Sequence, residues 1–85
     1  MIKTKIGIVV HYFDKLQVAV VKLSNSDLKI GDKVILLDKD GKEFTQNVDS
    51  MQIEHAQIDI AKAGDEFGLK TDKKVKDKTG VIKIS

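Results

Sequence analysis

Apolar and polar side chains alternate from the start of the chain. Between Ile2 and Phe13 the even positions hold Ile2, Thr4, Ile6, Ile8, Val10 and Tyr12, and the odd positions hold Lys3, Lys5, Gly7, Val9, His11 and Phe13. A period of two, rich in β-branched residues on the apolar phase, predicts a half-buried strand with its even side chains inward. Asp14-Lys15 reads as a tight turn into a second strand, Leu16 to Leu23, lying antiparallel to the first. Ser24-Asn25-Ser26-Asp27 is a turn cluster, and Val34 to Leu37 is a short strand apolar on both faces. Asp38-Lys39-Asp40-Gly41 supplies a hairpin turn into a strand that starts near Lys42. In that strand Phe44, Gln46 and Val48 share one phase while Met51 and Ile53 share the other, which predicts a bulge or break near Asp49-Ser50. Ala56 to Ala63 has the spacing of a short helical turn. Glu66 to Thr71 is a strand with Phe67 and Leu69 inward, residues 72–79 form a polar, lysine-rich loop, and Gly80 to Ile84 closes the chain as a last strand. The sum is an all-β chain of about six short antiparallel strands. A closed barrel removes sheet edges at this size, and a small sandwich is the alternative.

One local pattern occurs twice. Leu28-Lys29-Ile30-Gly31-Asp32-Lys33-Val34 and Ala61-Lys62-Ala63-Gly64-Asp65-Glu66-Phe67 both place Gly-Asp two residues before an apolar strand position. Glycine turns the chain at positive φ, and the aspartate accepts from backbone N–H groups as the strand begins. Asp32 and Asp65 are therefore read as turn residues and not as a catalytic pair.

These segments resemble the second domain of translation elongation factor Tu and its relatives. The resemblance rests on Ile6-Gly7-Ile8-Val9-Val10, on Leu28 to Val34, on Val48-Asp49-Ser50-Met51-Gln52, and on Ala61 to Leu69, in that order over residues 5–84. Small stand-alone elongation-factor-like proteins look similar, and so does the barrel at the C-terminus of some U32-type peptidases. The resemblance implies a small closed antiparallel six-stranded β-barrel, spanning residues 1–85 as one domain. In the elongation factors this barrel packs on a GTPase domain and helps hold the acceptor end of tRNA. No G-x-x-x-x-G-K-[ST] occurs here, and Gly31-Asp32-Lys33-Val34 lacks both the upstream glycine and the magnesium-binding hydroxyl, so GTP is not expected to bind.

Composition narrows the chemistry. The 85 residues are 41% apolar and 33% charged, with no Cys, Pro or Trp. A chain this short buries roughly 60–65% of its unfolded surface, enough for a core but little for an elaborate cleft. Without cysteine there are no disulfides, thiol nucleophiles or Cys-type zinc sites, which fits a reducing cytoplasm. No apolar run approaches a membrane span, and the N-terminus lacks a signal-peptide h-region, so no membrane association is expected. His11 and His55 stand far apart with no third ligand implied, and Asp38 to Gly41 is too short for a calcium loop. Neither a metal, a cofactor nor catalysis is expected. Met51 reads as core, and Tyr12 and Phe13 as core or rim aromatics.

Charge is the remaining signal. All fifteen basic residues are lysine, and the net charge is +2. It is unevenly spread: +3 over residues 1–23, −5 over 24–69 and +4 over 70–85. In a closed barrel the first and last strands are neighbours, which would join Lys3 and Lys5 to Lys70, Lys73, Lys74, Lys76 and Lys78, with Lys83 beside them. Such a face would bind phosphate weakly, without reading sequence and with strong salt dependence. The competing reading of these lysines is a solvated loop blunted by Asp72 and Asp77. The expectation is a monomeric, non-catalytic binding module, with RNA or the ribosome as partner. The alternative is a protein-interaction module docking in trans on a separate enzyme such as a U32-type peptidase or a GTPase, marked by an exposed apolar patch.

Overall fold

The computed structural model of the chain describes residues 2–85, and among these every regular element is a strand. They are β1 Lys3–Phe13, β2 Val18–Leu23, β3 Leu28–Lys29, β4 Lys33–Leu37, β5 Glu43–Asn47, β6 Met51–Ile53, β7 Ala56–Ile58, β8 Ile60–Ala61, β9 Glu66–Lys70 and β10 Gly80–Ile84. Every pairing is antiparallel. Eight strands form one sheet in the order β5-β4-β10-β1-β2-β9-β6-β7, while β3 and β8 pair as a separate ribbon.

Two expectations need correction. Ten strands replace six, and among the described residues no ladder joins the ends of the eight-stranded order, so the closed six-stranded barrel is not the observed sheet. The cause is local. β5 pairs with β4, and β6 pairs with β9, yet β5 and β6 are consecutive halves of one stretch broken at residues 48–50. There the backbone bonds elsewhere. Val48 accepts from Gly31 N–H at 2.8 Å and donates to the Asp32 carbonyl at 2.8 Å, and the Ser50 carbonyl accepts from Lys70 N–H at 3.2 Å. The buried side chain of Gln46 bridges the same gap. Its Nε2 donates to the Lys70 carbonyl at 2.9 Å and its Oε1 accepts from Asp72 N–H at 2.8 Å, as a backbone rung would. The phase break expected near Asp49-Ser50 is thus present.

The second correction concerns residues 56–63, which hold the strands β7 and β8 and no helical turn. Glu54 and His55 both take positive φ, 50° and 68°, the two-residue hairpin conformation that folds β7 back on β6.

Strand β1 also departs from strict alternation. Its buried or core-packed side chains are Ile6, Val9 and Tyr12, while Val10 is exposed. Register shifts between Lys5 and Gly7 against β10, and between Val9 and His11 against β2, insert the extra residues.

The repeated Gly-Asp pattern builds two matching turns. Gly31 and Gly64 have φ of 96° and 92°. Asp32 Oδ2 accepts from Lys29 N–H, and Asp65 Oδ2 from Lys62 N–H, each at 2.9 Å. The first turn clasps Val48 as described. The second clasps Leu23 in the same way, Gly64 N–H donating to its carbonyl at 2.9 Å and the Asp65 carbonyl accepting from its N–H at 3.0 Å. The strands leading into the turns, β3 and β8, pair with each other. Each half of the chain therefore grips a strand end of the other.

Alternate positions of the strands fill the interior: Ala19, Val21 and Leu23 from β2, Val34 and Leu36 from β4, Phe67 and Leu69 from β9, Val81 from β10, and Met51. Burial of each large side chain contributes about 1.5–3 kcal/mol.

Candidate functional site

The lysine-rich loop is held firmly. Thr71 N–H donates to the Gln17 carbonyl at 3.0 Å, Lys78 N–H to the Val9 carbonyl at 2.7 Å, and Val9 N–H to the Thr79 carbonyl at 2.8 Å. Between these ends Val75 enters the core, 5% exposed, and Thr79 Oγ1 donates to the Lys76 carbonyl at 2.6 Å. Val75 was not singled out from the sequence. Its signal was a lone apolar residue among the polar ones between Thr71 and Thr79.

The pinned loop separates two clefts. The larger, about 690 Å³, has Leu36, Phe44, Val75 and Thr79 among its lining, with Lys42, Lys73, Lys74 and Lys76 supplying basic groups and Asp38 and Glu43 acidic ones. The smaller, about 420 Å³, lies against His11, Tyr12, Lys39 and Asp77 and shares Lys74, Val75 and Lys76 with the first. Lys73 Nζ stands 5.6 Å from the centroid of the Phe44 ring, within cation–π reach. Lys76 Nζ pairs with Asp40 Oδ2 at 2.7 Å, and Lys74 Nζ with Asp14 Oδ1 at 3.4 Å. The hydrogen bond and charge of Lys76 hold the Asp40 carboxyl below its ordinary range, and Asp40 in turn raises Lys76.

The structure brings Lys73, Lys74 and Lys76 into one cleft lining, and none of the other sequence-derived lysines lines that cleft. β1 does pair with β10, as expected. Lys3, however, stands opposite Ile84, four residue steps from Gly80 where the loop ends, about 13 Å of strand. Lys5 stands opposite Ile82, with its side chain lying over Gly80. Lys70 is on β9, and Lys78 sits at the loop's end with φ of 69°. Lys83 is not part of an open basic face. Its side chain is 18% exposed and its Nζ lies 3.5 Å from Asp27, 3.6 Å from Asp32 and 3.0 Å from the Asp27 carbonyl.

A second surface is apolar where alternation would make it polar. With Val34, Leu36 and Val81 directed inward, their neighbours Ile35, Leu37, Ile82 and Ile84 fall on the outer face of β4 and β10, and Ile8 of β1 continues them. Register places Ile35 directly opposite Ile82, and Leu37 and Ile8 on either side of Gly80. None of the five belongs to the core cluster. Ile35 is 4% exposed and the other four are partly buried. Lys3, Lys5 and Lys33 border this patch, with Thr45, Asn47 and Glu43 along the β5 side.

No group of three or more His, Cys, Asp or Glu among the described residues is placed to hold a metal ion, and no helix is long and apolar enough to cross a membrane. His11 instead stacks edge-on against Phe13, with centroids 4.6 Å apart.

No protein-family model matches the chain. At 41% identity over 68 residues it is similar to an uncharacterized protease of Methanocaldococcus jannaschii. That match covers 80% of this chain and 16% of the protease, so the chain spans about a sixth of this relative's length. Among solved structures the fold is that of the C-terminal domain of a Geobacillus thermoleovorans protein described as a U32 peptidase. The TM-score is 0.86 at 20% identity, covering 96% of this chain and 93% of that domain. The selenomethionine variant of the same domain gives 0.81 at 20% identity, over 94% and 98%. Of the two resemblances read from the sequence, these structures meet the one to the U32-type C-terminal domain, and they do not tie the chain to elongation factor Tu itself.

Proposed function

We propose that the chain is a non-catalytic docking module of the kind carried by U32-type peptidases, binding a peptidase-type protein partner in trans. The observation that carries this is the outer sheet face where Ile8, Leu37, Ile82 and Ile84, each partly exposed, surround a buried Ile35. A solvated sheet face is ordinarily polar, and a contiguous apolar one marks an interaction surface. Its border of Lys3, Lys5 and Lys33 suits a partner with an apolar centre and acidic rim. The matched relative is about five times as long as this chain, which fits a module that works beside a larger body. The fold itself is read as a barrel of the elongation-factor-Tu-domain-2 type, completed through the bend at residues 48–50 and the Gln46 bridge.

The nucleic-acid reading has less behind it. Lys74 and Lys76 already face carboxylates, Lys73 faces an aromatic ring, and Lys3 lies at the far end of the β1–β10 ladder.

The test is binding of the purified chain to a U32-type peptidase from which its own C-terminal domain has been removed, by calorimetry, with Ile82→Lys as the variant. Ile82 lies outside the core cluster, so the variant is expected to keep its circular dichroism spectrum while binding weakens at least about tenfold. Equal binding by a folded variant, or no binding by the wild type, overturns the proposal.

A further inference from the structure

The cleft beside the pinned loop shares Glu43 with the border of the aliphatic patch and none of the patch's own residues, and its lining has its own chemistry. Its floor is apolar: Leu36 and Val75 are buried and Phe44 is partly so. Its border carries Lys42, Lys73, Lys74 and Lys76 with Asp38 and Glu43; Lys74 and Lys76 are already paired with Asp14 and Asp40, which leaves Lys42 and Lys73 without an ion pair among the described residues. The two border acids are not equivalent. Asp38 Oδ1 already accepts from the backbone N–H groups of Asp40 and Lys42, at 2.9 and 3.0 Å, closing the β4–β5 hairpin. Glu43 makes no ion pair among the described residues and stands at the cleft's edge. The loop backbone that presents Lys73, Lys74 and Lys76 is fixed at both ends and at Val75, so these lysines are held in place before anything binds.

We infer that this cleft binds an acidic peptide segment bearing one apolar side chain. The apolar side chain would lie on Leu36, Phe44 and Val75, and the flanking carboxylates would meet Lys42 and Lys73. A peptide fits better than RNA on two grounds. The floor is mainly aliphatic, whereas sequence-tolerant single-strand binding relies on several aromatic platforms, and Phe44 is the one aromatic in this lining. Its face is already covered by Lys73. The adjoining cleft shares Lys74, Val75 and Lys76 but adds Asp14 and Asp77 against Lys39, so the acidic segment is confined to the first cleft.

The experiment uses the whole labelled chain and three probes: a glutamate-rich octapeptide with a central leucine, the same peptide with lysine for glutamate, and an oligouridylate of equal charge. Amide shifts and fluorescence anisotropy are read at low and physiological salt. The acidic peptide is expected to shift Phe44, Val75 and Thr79 amides, and to weaken on the order of tenfold as the screening length falls from about 30 to about 8 Å. Lys42→Glu with Lys73→Glu, both exposed positions that leave the fold intact, is expected to weaken it at least about tenfold. Replacing the peptide's leucine with serine is expected to weaken it several-fold. The inference is overturned if the oligouridylate or the lysine peptide binds as tightly, if the shifts fall outside the cleft, or if millimolar acidic peptide moves nothing. None of these outcomes bears on the Ile82→Lys result, so the two proposals fail separately.

Discussion

At the residue scale, two of the three buried polar side chains stand at opposite extremes, one working as backbone and one without a partner. Gln46 is 4% exposed and bonds two main-chain groups that no strand reaches. Gln46→Leu leaves the Lys70 carbonyl and Asp72 N–H unpaired, which is expected to cost about 2–4 kcal/mol in urea unfolding, more than a leucine's added apolar area returns. Thr71 is the opposite case: it is 2% exposed and its Oγ1 has no hydrogen-bond partner. Thr71→Val keeps the shape and removes an unsatisfied hydroxyl, so unfolding is expected to be unchanged or stabilised by up to about 1 kcal/mol. Neither role was legible beforehand. A glutamine on the apolar phase of a strand gives no sign of which backbone gap it will face. At the rim of the cleft, Lys76 depresses the titration of Asp40. A depressed carboxyl contributes stability above its unfolded value and loses it as pH falls through its folded value. A carboxyl-detected NMR titration should therefore find Asp40 titrating below the ordinary aspartate range, and rising back into it in Lys76→Gln.

At the element scale, the best-read features are those in which one residue fixes a turn by a local rule. The Gly-Asp repeat was legible because Gly supplies positive φ and Asp bonds back three residues, and both turns do so with the same geometry. That the two turns grip Leu23 and Val48 across the molecule was not legible, since it depends on how the halves meet. A Cβ added at Gly31 or Gly64 meets nothing within 4 Å, so the cost of either Gly→Ala is conformational only. Both are expected to lose about 1–2 kcal/mol, equal within error, by thermal or urea unfolding. The aspartates should differ. Asp32 also faces the partly buried Lys83 at 3.6 Å, whereas Asp65 has no ion pair among the described residues, so Asp32→Ala is expected to cost more than Asp65→Ala. The elements misread from sequence were those set by unusual backbone. Glu54-His55 is not a common composition for a turn with two positive φ values, and so β6 and β7 were hidden behind a helical spacing. In β1, two bulges turned a period of two into inward positions three apart, which alternation alone does not reveal.

At the scale of the whole molecule, the adjacency of the first and last strands was legible, but the place of each lysine along them was not, because register is set by bulges and loop lengths. The same ladder that separates Lys3 from the loop gathers Ile8, Ile35, Leu37, Ile82 and Ile84 on one outer face, where a second copy of the chain is the rival occupant. A symmetric pair would place the same patch on both sides of the contact. It would set Lys3, Lys5 and Lys33 of one copy near those of the other, with Glu43 as the acidic neighbour at the border. Like charges brought together at a rim oppose association, most strongly at low salt. The chain alone is therefore expected to sediment as a monomer at tens of micromolar in low salt, and Ile82→Lys should not change that mass. A wild-type dimer that Ile82→Lys dissociates would assign the face to self-association. A monomer whose face is instead covered by an acidic-rimmed partner is what the lysine border selects for.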